Sequence, residues 1–112
     1  MPATTPHCRL SPAQIEEVAH LFEILAEPSR LLLLQFLQEG PQTVTALVEQ
    51  SGMKQANVSK QLGVLHQSRL VAREREGNFV RYSIRDPMIY NLCALVCDKM
   101  QRDTRTLLER IT

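Results

Sequence analysis

The sequence has no long apolar run. Its densest one, Leu31–Leu34, is followed by Gln35 and is far too short to cross a bilayer. The first residues, MPATTPHCRLSP, also lack the basic start and apolar stretch of a secretory signal. We therefore expect a cytoplasmic protein with no membrane partner. Internal repeats and low-complexity tracts are missing too, and 112 residues suffice for one domain with a modest core.

Motifs typical of enzymes are also missing. The chain has no Cys-x-x-Cys pair, no glycine-rich phosphate loop and no paired acid and base, so we expect no enzyme activity. Cysteine itself is scarce, with only Cys8, Cys93 and Cys97. An odd number of thiols in a reducing compartment argues against a disulfide framework and for free or ligand-binding thiols.

Helix signals dominate what the sequence does contain. Residues 1–10, rich in proline and threonine, are expected to form a flexible arm, and residues 11–112 a single domain. Ser11 and Gln14 form a capping box ahead of apolar residues spaced three and four apart, which predicts a first helix. Pro28 opens a second helix that is apolar on most sides, so this helix should lie in the core.

A glycine turn between two short helices is predicted next. Thr43 or Thr45 can cap a third helix, which stops at Gly52 because glycine supplies the left-handed backbone of a tight helix-to-helix turn. The fourth helix is expected from about Lys54 to Ser68, with its apolar residues facing inward.

Two alternating strands follow, at residues 70–74 and 79–84, around a turn at Gly77-Asn78. The last helix is expected from Asp86-Pro87 to about Arg110. The predicted fold is therefore mainly α with a small β-hairpin wing. Its order of four helices, two strands and a fifth helix is that of a winged helix-turn-helix, a fold for recognising duplex DNA.

Positive charge is concentrated in residues 54–85. This stretch has seven basic and two acidic residues, a net charge of +5, whereas the rest has six basic and ten acidic residues, a net charge of −4. Phosphate binding depends on such local fields more than on total charge. A solvated polar surface would explain the charge by itself. Together with the helix-turn-helix, this concentrated positive charge favours double-stranded operator DNA as the partner.

The fourth helix supplies the side chains that recognition of base edges needs, because amides and hydroxyls can both donate and accept hydrogen bonds in the major groove. The expected DNA contacts on this helix are Lys54, Gln55, Asn57, Ser59, Lys60 and Gln61, the two lysines at phosphates. On the wing, backbone or minor-groove contacts are expected from Arg73, Arg75 and Arg81. Each of these arginines could instead pair with Glu74 or Glu76.

The chain resembles the ArsR/SmtB family of bacterial winged-helix repressors. The matching segments are FEILAEPSRLLLLQFL (22–37), QANVSKQLGVL (55–65), SRLVAREREG (68–77) and VRYSIRDP (80–87). The resemblance implies a homodimer, paired through residues 11–26 and 87–111, that releases its operator when an effector binds. Two positions depart from the family, which often has Ser where Lys54 stands and His where Gln61 stands, so we expect a different base preference.

The cysteines are the candidate effector site. Cys93 and Cys97 lie four apart on the last helix, so both thiols share one flank. The family packs its first helix against its last, which could bring Cys8 close from the same or the partner subunit. The family's usual ligand patterns do not fit, because no cysteine lies between Cys8 and Cys93 and the last helix has no histidine.

Three chemistries remain open for these thiols. Thiolates favour thiophilic metals or metalloids such as As(III). This predicts a repressor that such an effector releases from DNA. No cofactor is expected to be required. The same cysteines could instead be oxidised or persulfidated, which would make the protein a redox or reactive-sulfur sensor. They could also pack as small apolar side chains, leaving a winged-helix DNA-binding protein with no thiol effector.

Overall fold

The computed structural model describes residues 8–111. In chain order the elements are α1 (Pro12–Leu25), α2 (Pro28–Leu37), β1 (Gln42–Thr43), α3 (Val44–Ser51), α4 (Gln55–Gln67), β2 (Val71–Glu76), β3 (Phe79–Ile84) and α5 (Met88–Ile111). The predicted order is confirmed, with one short strand added. Most of the expected flexible arm, residues 1–10, lies outside the described residues.

The helix starts follow the predicted caps. Ser11 Oγ accepts the Gln14 N–H at 3.2 Å, and Gln14 Oε1 accepts the Ser11 N–H at 2.9 Å, which completes the capping box of α1. At α3, Thr43 Oγ1 accepts the Ala46 N–H at 3.1 Å, so the first of the two candidate threonines is the cap. Gly52 ends α3 with φ of 73°, the left-handed conformation expected there.

The core lies where α2 meets α3, α4 and the base of the hairpin. Leu33, Leu34 and Leu37 of α2 have no exposed surface, which confirms the central place predicted for this helix. The side chains packed with them include Leu47, Val58, Leu62, Leu65 and Val71. Each such buried side chain stabilises the fold by about 1.5–3 kcal/mol, so α4 is fixed by its apolar face.

The apolar stripes of α1 and α5 lie mostly outside this core, on the segments through which the family resemblance implies dimer pairing. Phe22 of α1 is 56% exposed, and Met100 and Ile111 of α5 are 58% and 71% exposed. Within α5, only Ile89 is buried, because the 24-residue helix continues beyond the rest of the domain. Among the described residues no helix is both long and apolar enough to cross a bilayer.

The wing is part of a three-stranded antiparallel sheet with the order β1-β3-β2. Strands β2 and β3 pair from Val71 opposite Ile84 to Glu76 opposite Phe79. Strand β1 adds two residues to the other side of β3, with Gln42 opposite Tyr82. A two-residue strand has no alternation to recognise in a sequence, which is why it was not predicted. It joins the hairpin to the start of α3.

Candidate nucleic-acid interface

The outward face of α4 is polar and available for contacts. Its inward face is fixed by buried apolar residues, and this orientation leaves Gln55, Ser59 and Lys60 exposed, as predicted. Among the hydrogen bonds and ion pairs of the described residues, none involves these three side chains. Their donors and acceptors are therefore free to meet base edges or phosphates.

The beginning of α4 is open to an anion. Lys54 occupies the N-cap position with exposed surface, and no side chain accepts a hydrogen bond from the first backbone N–H groups. These N–H groups and the nearby ammonium group both suit a DNA phosphate. The place predicted for Lys54 is thus compatible with a backbone contact.

Ala56 lies on the same outward face, although the sequence pattern assigned it to the inward set. It is exposed, because two residues along a helix place it almost opposite the buried Val58. Its methyl group lies one turn before Lys60 and can contact a thymine methyl group. Helical spacing from Val58 was the signal that could have identified it.

Gln61 is buried, so its predicted outward direction is wrong. It is only 7% exposed, because it stands three residues after Val58 and four before Leu65, on the inner flank of α4. Gln61 Oε1 accepts a hydrogen bond from Arg30 Nε at 2.9 Å, and Gln61 Nε2 donates to Asn57 Oδ1 at 3.0 Å. Asn57 is half-buried.

The wing arginines are divided between the two faces of the hairpin. Arg73 and Arg75 share a face with the buried Tyr82, because Arg73 is directly opposite Tyr82 in the strand register. Arg75 Nε donates to the Gly77 carbonyl at 3.3 Å. Both residues line an open pocket that also includes Val44 at the start of α3.

Arg81 points to the opposite face. Its Nε lies 3.4 Å from Glu76 Oε2, and both side chains are exposed. Such exposed pairs contribute about 0–1 kcal/mol, so the contact competes only weakly with a DNA phosphate. The geometry therefore separates Arg73 and Arg75, as one group, from Arg81.

Arg69 joins α4 to the wing in a conformation unusual for a side chain other than glycine. Its φ is 63°, in the left-handed region. The Arg69 N–H donates to the His66 carbonyl at 3.0 Å, and the Leu70 N–H donates to the Leu65 carbonyl at 3.0 Å. This is the hydrogen-bond pattern of a Schellman helix end. The exposed guanidinium adds positive charge at the junction, where the sequence had not singled it out.

The three cysteines are free thiols in different environments. Cys8 and Cys97 are exposed, whereas Cys93 is half-buried and packs against the core. Cys97 borders two shallow grooves along α5, one beside Leu95 and one beside Leu108. Within the part of the chain that the structure describes, no three His, Cys, Asp or Glu side chains cluster closely enough to hold a metal ion. One protomer therefore does not bring the three predicted thiols together.

Sequence comparisons find relatives among bacterial regulators. Residues 27–73 match the family described as "Bacterial regulatory protein, arsR family". The HTH-type transcriptional regulator NmtR of Mycobacterium tuberculosis is 40% identical over 87 residues, which are 78% of this chain and 72% of that protein. The probable mercury resistance operon repressor of Streptomyces lividans is 39% identical over 80 residues, 71% of this chain but only 64% of that protein.

Solved structures share the fold. The AntR antimony-specific transcriptional repressor superposes with a TM-score of 0.81 at 32% identity, covering 94% of this chain and 96% of that one. A homodimeric winged helix-turn-helix DNA-binding domain from Mycobacterium bovis has a TM-score of 0.73 at 28% identity, covering 88% and 91%. The predicted winged helix-turn-helix fold is confirmed.

Proposed function

Because this chain belongs to the ArsR family of bacterial regulatory proteins, we propose that it is a homodimeric repressor that binds operator DNA and releases it when a thiophilic metal or metalloid reaches its cysteines. The family consists of DNA-binding transcriptional regulators and not of enzymes. The observation that carries the DNA-binding part is the outward face of α4, where Gln55, Ser59 and Lys60 are exposed on a rigidly packed helix. The cytoplasm, where the operator would lie, is the proposed location.

The homodimer is supported by the uncovered apolar surface of the protomer. Large exposed side chains continue along α5 and include Leu95, Met100, Leu107, Leu108 and Ile111, and α1 adds Ile15 and Phe22. Surfaces of this kind on a small domain are typical of protein interfaces. A second copy with two-fold symmetry would cover the same surface on both protomers. The two α4 helices would then face half-sites about one DNA turn apart.

The effector proposal rests on Cys93 and Cys97. Their i and i+4 positions place two thiols on one flank of α5, and thiolates bind soft metals and metalloids. The antimony-specific AntR and the mercury resistance repressor are relatives named for ions of this class. Because one protomer does not gather three ligands among its described residues, the third ligand would come from the second copy, with its Cys8 as the candidate.

Release would follow if the ion binds one dimer arrangement more tightly than another. Both cysteines lie on the helix that carries the proposed interface, so a bond between them and a third ligand would favour one relative position of the protomers. Oxidation to a disulfide within one helix is harder. Cβ atoms at i and i+4 stand about 5–6 Å apart, whereas a disulfide needs about 4 Å.

The test is release of a labelled fragment of the protein's own upstream DNA. We expect arsenite, antimonite, cadmium or mercuric ion to release the wild-type protein, and Cys93→Ser and Cys97→Ser proteins to stay bound. Cys8→Ser measures whether that thiol takes part. If only peroxide or persulfide releases the DNA, the protein is a redox or reactive-sulfur sensor and not a metalloid sensor. If both Ser variants release the DNA as readily as the wild-type protein does, the cysteines are not the effector site.

A further inference from the structure

A chain of hydrogen bonds runs from the end of α1 to the outward edge of α4. Arg30 Nη1 donates to the Ile24 carbonyl at 3.0 Å, and Arg30 Nε donates to Gln61 Oε1 at 2.9 Å. Gln61 Nε2 then donates to Asn57 Oδ1 at 3.0 Å. We call Arg30, Gln61 and Asn57 the amide relay. Gln61 in the middle is buried, whereas Arg30 and Asn57 at the two ends are half-buried.

The direction of every hydrogen bond in the amide relay is fixed by chemistry. A guanidinium group has donors and no acceptor, so the Gln61 atom that faces Arg30 must be its carbonyl oxygen. The amide nitrogen of Gln61 must then face Asn57, and an amide NH2 only donates. The Asn57 atom in contact with it is therefore the oxygen, which leaves the Asn57 NH2 group as the end free for another partner.

The burial of Gln61 keeps this direction in place. The side chain is only 7% exposed, so water cannot easily replace either partner. Among the described residues no buried side-chain nitrogen or oxygen lacks a hydrogen-bond partner. Reversing the Gln61 amide would set its NH2 against the Arg30 donor, which has no acceptor, so the hydrogen bond to Arg30 would be lost.

We propose that the amide relay sets the hydrogen-bond polarity with which Asn57 meets a base. It makes Asn57 a donor, which favours base edges that accept, such as guanine N7 and O6 or thymine O4, over the amino group of cytosine. The inference rests on the proposed function, in which α4 enters the major groove. Arg30 and Gln61 are positioning residues in this proposal, since they act through Asn57 without touching DNA.

Gln61→Glu tests the polarity directly, because it changes one amide to a carboxylate of the same shape. The carboxylate still accepts from Arg30 but cannot donate to Asn57, so Asn57 should turn, donate its NH2 to Glu and present its oxygen outward. In selection from a randomised operator library, wild-type protein should prefer guanine or thymine at the Asn57-dependent position. The variant should prefer cytosine or adenine, with relative affinities changed by about tenfold.

Two control variants make the result specific. Asn57→Ala identifies the base pair that depends on Asn57, and Gln61→Met removes the hydrogen bonds at similar length, so it should weaken the preference without reversing it. If wild-type protein selects no sequence, the proposed function fails. If it selects a sequence but Asn57→Ala changes no position, or Gln61→Glu keeps the wild-type base, the amide relay proposal is overturned while DNA recognition stands.

A measurement on unaltered protein covers the case in which Gln61→Glu does not fold, as judged by circular dichroism. Side-chain amide exchange with water, followed by NMR in the free protein, should be slow for the Gln61 NH2 and fast for the Asn57 NH2. Asn57→Ala should speed exchange at Gln61. A slow Asn57 NH2 together with a fast Gln61 NH2 would overturn the proposal.

Discussion

Helices α4 and α5 are both amphipathic, but they leave opposite kinds of surface uncovered. The 13-residue α4 buries its apolar face in the protomer's own core and exposes amides, one hydroxyl and a lysine. The 24-residue α5 buries Ile89 alone and exposes a row of leucine, methionine and isoleucine side chains. An uncovered polar face on a fixed helix is suited to a nucleic acid, whereas an uncovered apolar face calls for another protein surface.

The comparison also separates the two tasks of the molecule. The α4 helix has the candidate DNA contacts and no cysteine, and α5 has two cysteines and most of the exposed apolar surface. In the proposed function, a signal received on α5 would reach α4 through a change in the arrangement of the two protomers. Three substitutions test whether the faces of these helices differ as described.

The largest effect is expected from Met100→Glu on α5. A carboxylate buried without a partner at the proposed interface costs about 3 kcal/mol or more, which is roughly a 150-fold increase in the dimer dissociation constant. Sedimentation equilibrium measures it. Thr106→Glu, which adds the same charge on the polar side of α5, is the matched control. Equal dimerisation of both variants would show that the apolar face is not the interface.

The second largest effect is expected on the stability of the fold, when a side chain on the inner face of α4 is shortened. Leu62 is fully buried, so Leu62→Ala removes core contacts and leaves a cavity, lowering the free energy of unfolding by about 3 kcal/mol. Ser59→Ala, on the outer face, should change it by less than about 0.5 kcal/mol. Urea unfolding followed by circular dichroism gives both values. A loss at Ser59 as large as that at Leu62 would contradict the orientation of the helix.

The smallest effect is expected from Lys60→Ala on the outer face of α4. Losing one phosphate contact should weaken operator binding severalfold and reduce the dependence of log affinity on log salt concentration by about one. Fluorescence anisotropy at several salt concentrations measures both quantities. Lys99→Ala removes the same charge from α5 and should leave the slope nearly unchanged. An unchanged slope for Lys60→Ala would remove this lysine from the interface.

Local signals in the sequence were enough to predict most of the fold. The capping box at Ser11, the cap at Thr43 and the left-handed glycine at Gly52 each act within a few residues, and all three appear as expected. Apolar spacing likewise placed Val58, Leu62 and Leu65 on the inner face of α4. These features depend on neighbouring residues, which is why a sequence alone reveals them.

The errors concern long-range partners. Gln61 was expected to face outward because it is polar, and the partner that satisfies its buried amide, Arg30, is 31 positions away. The stripes of α1 and α5 were recognised, but periodicity shows only that a face needs cover. It cannot distinguish a cover supplied by the same protomer from one supplied by a second copy. For Phe22 and Met100 the protomer supplies little.

The turn at Arg69 has a mechanical consequence. Two hydrogen bonds close the end of α4, and Leu65 and Leu70 on either side of the turn are both buried, so the connection from helix to wing contains no hinge. Within each protomer, α4 and the wing should therefore move as a single rigid body. The proposed dimer would then consist of two such rigid bodies. Its effector would act by changing the gap between them, while the shape of each remains the same.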